Sequence, residues 1–206
     1  MATTGKLEIP PIRIGKATLL IEGVTLLCIH KFSEKARQIM LDKHMGKPTT
    51  LRENKVPAQD FMRCLYVLPG STPILHDEDP ENVWAEGRFG IKAISFKNAA
   101  VRAATSAGAK MTETRMAIQI GASLASDELI EIHCEPGPKM RQDVVRNDSG
   151  VPDIRFRPEF WPWAVELPVT YNKSMVSLAQ VVSLFHLAGF GVGIAEGRPS
   201  GKESSG

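Results

Sequence analysis

In this 206-residue chain, the residues best suited to ligand chemistry lie at its C-terminal end. HLAGFGVGIAEGRPSGKESSG, residues 186–206, holds five glycines between Gly189 and Gly201. Successive backbone N–H groups in such a run can cradle phosphate oxygens. A dinucleotide fingerprint would place the glycines between a strand and the helix that follows, with an acidic residue about 20 positions on. Here a helix-like stretch precedes them and no such acidic position follows. A P-loop would need Gly-Lys-Ser/Thr after the glycines, and that is absent too. Two readings stay open: a helix C-cap at Gly189 leading into a flexible tail, or a bend whose Gly191 and Gly193 bring the backbone close to a polynucleotide.

Other chemistries find little support. The histidines are His30, His44, His76, His133 and His186, and no two stand at metal-ligand spacing. The acidic run HDEDPE lacks the turn glycine and alternating ligands of a calcium loop. There is no nucleophile elbow, zincin helix or Ser-x-x-Lys. The expectation is therefore no metal, no cofactor and no visible catalytic residue. An enzyme, a nuclease or nucleic-acid modifier with His30, His44 or His133 as general base, ranks third among the readings.

Cations are the remaining resource. Residues 1–70 carry eleven Lys/Arg against six Asp/Glu, residues 71–91 one against five, 92–115 five against one, and 116–136 none against four. Such alternation reads as a solvated face, as surfaces that join subunits head to tail, or as a basic ligand face. On the ligand reading Lys31, Lys35, Lys92, Lys97, Arg155, Arg157 and Arg198 hold phosphates beside Gly191 and Gly193. Phe156, Phe160 and Trp161 are candidate stacking surfaces, with Phe156 weighted towards the core.

These groups must be positioned by regular elements. Residues 17–30, two apolar runs split by Glu22-Gly23, predict a hairpin or a long bent strand. Ser33 and Gly46 bracket a helix whose apolar face carries Phe32, Ala36, Ile39 and Met40. Residues 46–59 are a Pro-punctuated loop long enough to be functional or mobile. A strand is expected at Cys64–Leu68, an acidic loop at 71–88, and a helix over 94–108 capped by Ser95 and stopped by Gly108. Strands follow at 115–121 and 128–134. Five prolines make 136–163 read as irregular, apart from the alternation in IRFRPEFWPW. Residues 164–172 predict a strand, and 175–188 a helix capped by Ser174 with Met175, Leu178, Val182 and Phe185 buried.

This order predicts an α+β protein. A ferredoxin-like or RRM-like antiparallel sheet with helices packed on one face and loop insertions fits it best. One domain spans 1–199, with insertions at 46–59 and 71–88 and a flexible tail at 200–206. Hydrophobic residues make up 43% and charged residues 23%, an ordinary globular balance, and no run approaches a membrane span. The N-terminal residues lack the apolar stretch of a secretory signal. Cys28, Cys64 and Cys134 are odd in number and widely spaced, as expected of buried thiols in a reducing cytoplasm.

Four blocks, LLCIHKFSEKARQIMLDK, FGIKAISFKNAAVRAA, DIRFRPEFWPWAVELPVTYN and LFHLAGFGVGIAEGRP, resemble a family of largely uncharacterised bacteriophage proteins across residues 17 to 199. A weaker resemblance joins the strand pair, the GIKAISFKNAAVRAA helix and the late glycines to the RRM-like backbone subunits (RAMP-type) of class 1 CRISPR effectors. It implies that the terminal glycines correspond to a glycine-rich loop and that 46–59 corresponds to a thumb-like insertion. This chain is shorter than those subunits, and its extra region 71–88 is acidic. The resemblance implies a phage-encoded, non-enzymatic protein of the infected host's cytoplasm. It would bind single-stranded DNA or RNA and oligomerise along it. The alternative is a protein-interaction module that inhibits a host defence complex, with no membrane involved in either case.

Overall fold

The structure is a computed structural model, which describes residues 11–32, 34–47, 56–121, 128–146 and 150–200. Its fold is α+β, with all pairing antiparallel. The strands are β1 (Ile14–Glu22), β2 (Leu27–Cys28), β3 (Ile74–His76), β4 (Trp84–Glu86), β5 (Phe89–Lys92), β6 (Ile118–Ile120), β7 (Leu129–Ile132), β8 (Lys139–Arg146), β9 (Pro152–Phe160) and β10 (Ala164–Asn172). The helices are α1 (Glu34–His44), α2 (Pro57–Arg63), α3 (Ala93–Ala103), α4 (Met111–Ala117) and α5 (Leu178–Gly191).

The described residues form three sheets, with orders β1-β10-β6, β2-β9-β8-β4-β3 and β5-β7. A bridge between His133 and Ala164 links the β7 end to β10. β10 shows why its segment is a strand. Val165, Leu167, Val169 and Tyr171 alternate with more exposed neighbours and point into one core. Leu19 and Ile21 of β1 pack against that core from the paired strand. Phe61, Phe89 and Phe160 are its largest fully buried rings, and Phe89 meets Phe160 edge-on at 6.3 Å.

Helix α3 buries Ala93, Phe96, Ala99, Ala100 and Ala103. Its alanines let α5 approach closely, so Ala99 and Ala103 pack on Ala188 and Val192. A 3-10 turn over Ala104–Ala107 extends α3 to Gly108, whose φ of 75° ends it as expected.

Several expectations are revised. β1 and β2 are not a hairpin: the chain turns at Gly23, β1 joins β10, and β2 joins β9 in another sheet. Asp60–Arg63 belong to α2, and only Val67 of the expected 64–68 strand bridges, to Phe89. Residues 111–117 are helical, leaving three residues for β6. The stretch read as irregular contains the β8–β9 hairpin, paired from Lys139↔Glu159 to Arg146↔Pro152. α3 starts after Lys92 with no side-chain cap. α5 starts three residues later than expected, where Ser177 and Gln180 form a capping box. Its buried residues are Val181 and Ala188, while Met175 and Leu178 are exposed. In α1, Ile39 and Met40 are exposed, as is Phe32 before it, while the Ala36 side chain lies outside the described residues.

A candidate nucleic-acid interface

β2 delivers the chain to Ile29 and His30, β5 delivers it to Lys92, and α5 delivers it to the bend at 192–198. These three arrivals meet along α3 and enclose a cleft of about 310 Å³. Ser95, Asn98, Ala99 and Arg102 of α3 form one wall. They follow the i, i+3, i+4, i+7 spacing of a single helix face. Val192–Glu196 and Arg198 form the opposite wall, and Tyr66 and Lys92 close one end.

The bend depends on Gly193. α5 continues past Gly189 to Gly191, Val192 is still right-handed, and Gly193 turns at φ 68°. The Gly193 N–H donates to the Ala188 carbonyl at 2.8 Å. A Cβ there would come within 2.6 Å of Pro199 Cδ and 2.9 Å of Arg198 Cβ. Ala195 is also left-handed, at φ 60°, and its carbonyl accepts from Arg198 Nη1 at 2.7 Å. The Glu196 N–H donates to the Cys28 carbonyl at 3.0 Å, fastening the bend to β2.

Among the described residues Lys92, Arg102 and Arg198 therefore line one concavity together with the single carboxylate of Glu196. The Arg102 guanidinium is exposed and makes no ion pair among the described residues. Lys31 adjoins them: its Nζ lies 5.6 Å from the Tyr66 ring centroid, and Lys92 Nζ lies 5.9 Å from the same ring. Both distances are within cation–π reach. His30 stands at the edge of the cleft, where burial of part of its ring and the positive charge of Arg155 lower its pKa. Its Nδ1 is 3.5 Å from Cys64 Sγ. Burial pushes the Cys28 and Cys64 thiols up to about 11, so both are protonated at neutral pH.

The expected phosphate ligands separate into groups. Lys31, Lys92, Gly193 and Arg198 come together at the cleft. Arg155 stands near His30 and pairs with Asp153 at 3.6 Å. Lys97 lies about 200° round α3 from both Ser95 and Ala99, which turns it from the cleft-facing side. Gly191 is the exposed last residue of α5, with open space where a Cβ would stand. The Lys35 side chain lies outside the described residues, as do Arg52 and Lys55 of the 46–59 loop.

Arg157 has a different role. It is 7% exposed, and its Nη2 and Nε hold Asp143 Oδ2 at 2.7 and 2.9 Å. Arg141, two residues before Asp143 on β8, holds the same carboxylate, with Nη2 to Oδ1 at 2.6 Å. Glu196 and Glu159 complete the network at 3.5 and 3.4 Å from Arg157 and Arg141. Burial alone would raise the Asp143 pKa, but the hydrogen bonds and charges of Arg141 and Arg157 hold it below the usual carboxylate value. Phe160 is buried in the core, Phe156 packs against the core, and Trp161 is exposed at the β9–β10 turn. Sequence reasoning missed Tyr66, read as one strand residue among several, and Arg102, whose i+7 offset from Ser95 was the available signal.

Among the described residues no group of three His, Cys, Asp or Glu side chains is placed to hold a metal ion. No helix among them is long and apolar enough to cross a membrane. Compared with protein-family models, with curated proteins and with solved structures, the chain matches none.

Proposed function

We propose that this protein binds the phosphate backbone of single-stranded nucleic acid in the cleft between α3 and the 192–198 bend. The observation that carries the reading is the meeting of Lys92 and Arg102, at the two ends of α3, with Arg198 of the C-terminal bend around one concavity. Lys31 and the Tyr66 ring extend it. Cations aligned along a groove follow a polyanion, and an adjoining aromatic face suits unpaired bases. On this reading the role is non-enzymatic: among the described residues that line the cleft, His30 is the one imidazole and Glu196 the one carboxylate, and Arg157 engages the latter. The phage-encoded origin, the RRM-like relationship and assembly along a strand belong to this proposal. The antiparallel pairing supports the RRM-like part, which expects one sheet where the described strands form three.

The test is binding of a labelled single-stranded oligonucleotide followed by fluorescence anisotropy across a salt series. Four phosphate contacts predict a log–log slope of about −3, a loss of roughly fifty-fold between 50 and 200 mM salt. Absence of binding at low salt rejects the reading.

A second reading attaches to another surface. Asp77, Glu78, Asp79 and Glu81 are exposed at the tip joining β3 to β4, at the edge of the five-stranded sheet opposite β2. His76 stacks on Trp84 at 4.1 Å and stiffens that hairpin. An acidic, braced projection suits a basic host protein, as a defence inhibitor would require. Capture of a nuclease-resistant host partner that is lost on neutralising these acids would favour it.

A further inference from the structure

β1 is the outer strand of its sheet, paired on one side with β10 and on the other with nothing among the described residues. The Gly23 N–H donates to the Trp163 carbonyl, and the Arg13 carbonyl accepts from Lys173. The odd-numbered residues therefore turn their backbone groups towards β10. By alternation Lys16, Thr18, Leu20 and Glu22 turn theirs to the open edge. Those side chains also share the exposed face of the strand, while Leu19 and Ile21 face the core. Ile14 is 60% exposed, Leu20 66% and Val24 90%. Nine residues of unpaired, partly apolar edge are about 30 Å of template for another strand.

The charge pattern identifies that strand. We infer that β1 pairs antiparallel with β1 of a second copy of this chain, about a two-fold axis at Leu19. In this register Lys16 of each copy lies opposite Glu22 of the other, and Thr18 opposite Leu20. Neither Lys16 nor Glu22 makes an ion pair among the described residues. Shifting the axis one residue, to Thr18 or Leu20, loses both charge pairs. The pairing exchanges about eight backbone hydrogen bonds. It joins the two three-stranded sheets into one of six, and it shields apolar side chains that water now covers. The interface is isologous and closes on itself. It is independent of the nucleic-acid reading and is tested without nucleic acid.

Sedimentation velocity on the full chain across a concentration series is expected to give a dimer. Lys16→Glu or Glu22→Lys places like charges opposite each other twice per dimer and should weaken association roughly ten- to thirty-fold. The double exchange Lys16→Glu with Glu22→Lys restores opposite pairs and should restore the dimer. Thr18→Pro removes an outward N–H, which an edge strand tolerates, and should give a folded monomer. If Thr18→Pro fails to fold, the charge-exchange set decides. A monomer mass up to about millimolar wild-type protein overturns the inference, as does a dimer indifferent to both single charge reversals.

Discussion

Two clusters of arginine lie close together in this molecule and behave oppositely. At the β8–β9 hairpin, Arg141 and Arg157 converge on Asp143, with every guanidinium contact made inside the protein. At the cleft, Arg102 and Arg198 come with Lys92 and face one carboxylate. The two clusters share Glu196, whose side chain touches Arg157 and whose backbone holds the bend to β2. The contrast is one of pairing and not of the number of cations: the hairpin arginines are matched by carboxylates of β8, β9 and the bend. The buried cluster carries structure, and the open one carries electrostatic potential.

The largest expected effect lies in the buried cluster. Asp143→Asn leaves two neighbouring guanidiniums without their anion and should cost about 3 kcal/mol of folding stability by urea unfolding. The figure sits at the low end of that range because the carboxylate is partly solvated. Wild-type stability should likewise fall in acid, since a carboxylate held below its usual pKa stabilises the fold above the unfolded value and stops doing so as pH drops through the folded one. Equal stability of Asp143→Asn and wild type would erase the contrast.

In the open cluster the pattern should reverse. Replacing Arg102 and Arg198 together by alanine should weaken oligonucleotide binding roughly thirty-fold at low salt and flatten the salt slope by about 1.4, with stability changed by less than about 0.5 kcal/mol. A double variant that unfolds easily but binds normally would exchange the two roles.

Gly193→Ala probes the join between the clusters. A left-handed φ and the closeness of Pro199 and Arg198 should cost about 1–2 kcal/mol of stability and displace Arg198, weakening binding by a further measurable factor. Gly191→Ala, in open helical space, is the control and should be neutral or slightly stabilising.

The smallest effect comes from His30. Its lowered pKa means that the fold keeps the ring neutral where the unfolded chain already protonates it. Stability is therefore lost as pH falls from the ordinary imidazole value through the folded one. A bound phosphate favours the charged ring, so binding should tighten a few-fold over the same interval. His30→Ala should abolish that pH dependence in an anisotropy titration.

What the sequence revealed follows from how local each signal is. β10 alternates cleanly, and the alanines and Gly108 mark α3, so neighbouring residues suffice to place both. The β8–β9 hairpin was illegible because Pro152 and Pro158 resemble breaks. Pro158 is accommodated because its carbonyl, which needs no N–H of its own, accepts from Ile29. Lys92 and Arg198 were identifiable from their places at a helix start and after a glycine bend. The neutralisation of Arg157 was not, because Asp143 stands fourteen residues away and meets it only through strand register.

The bond between Glu196 and the Cys28 carbonyl makes the cleft self-reporting. Cys28 lies beneath the bend with a thiol that stays protonated, and Cys64 lies against His30 in the same condition. Both side chains are buried, so an alkylating reagent should reach them slowly in the folded protein. A ligand that holds the bend against β2 should slow the labelling of Cys28 further, which makes its sulfur a probe of the pocket mouth.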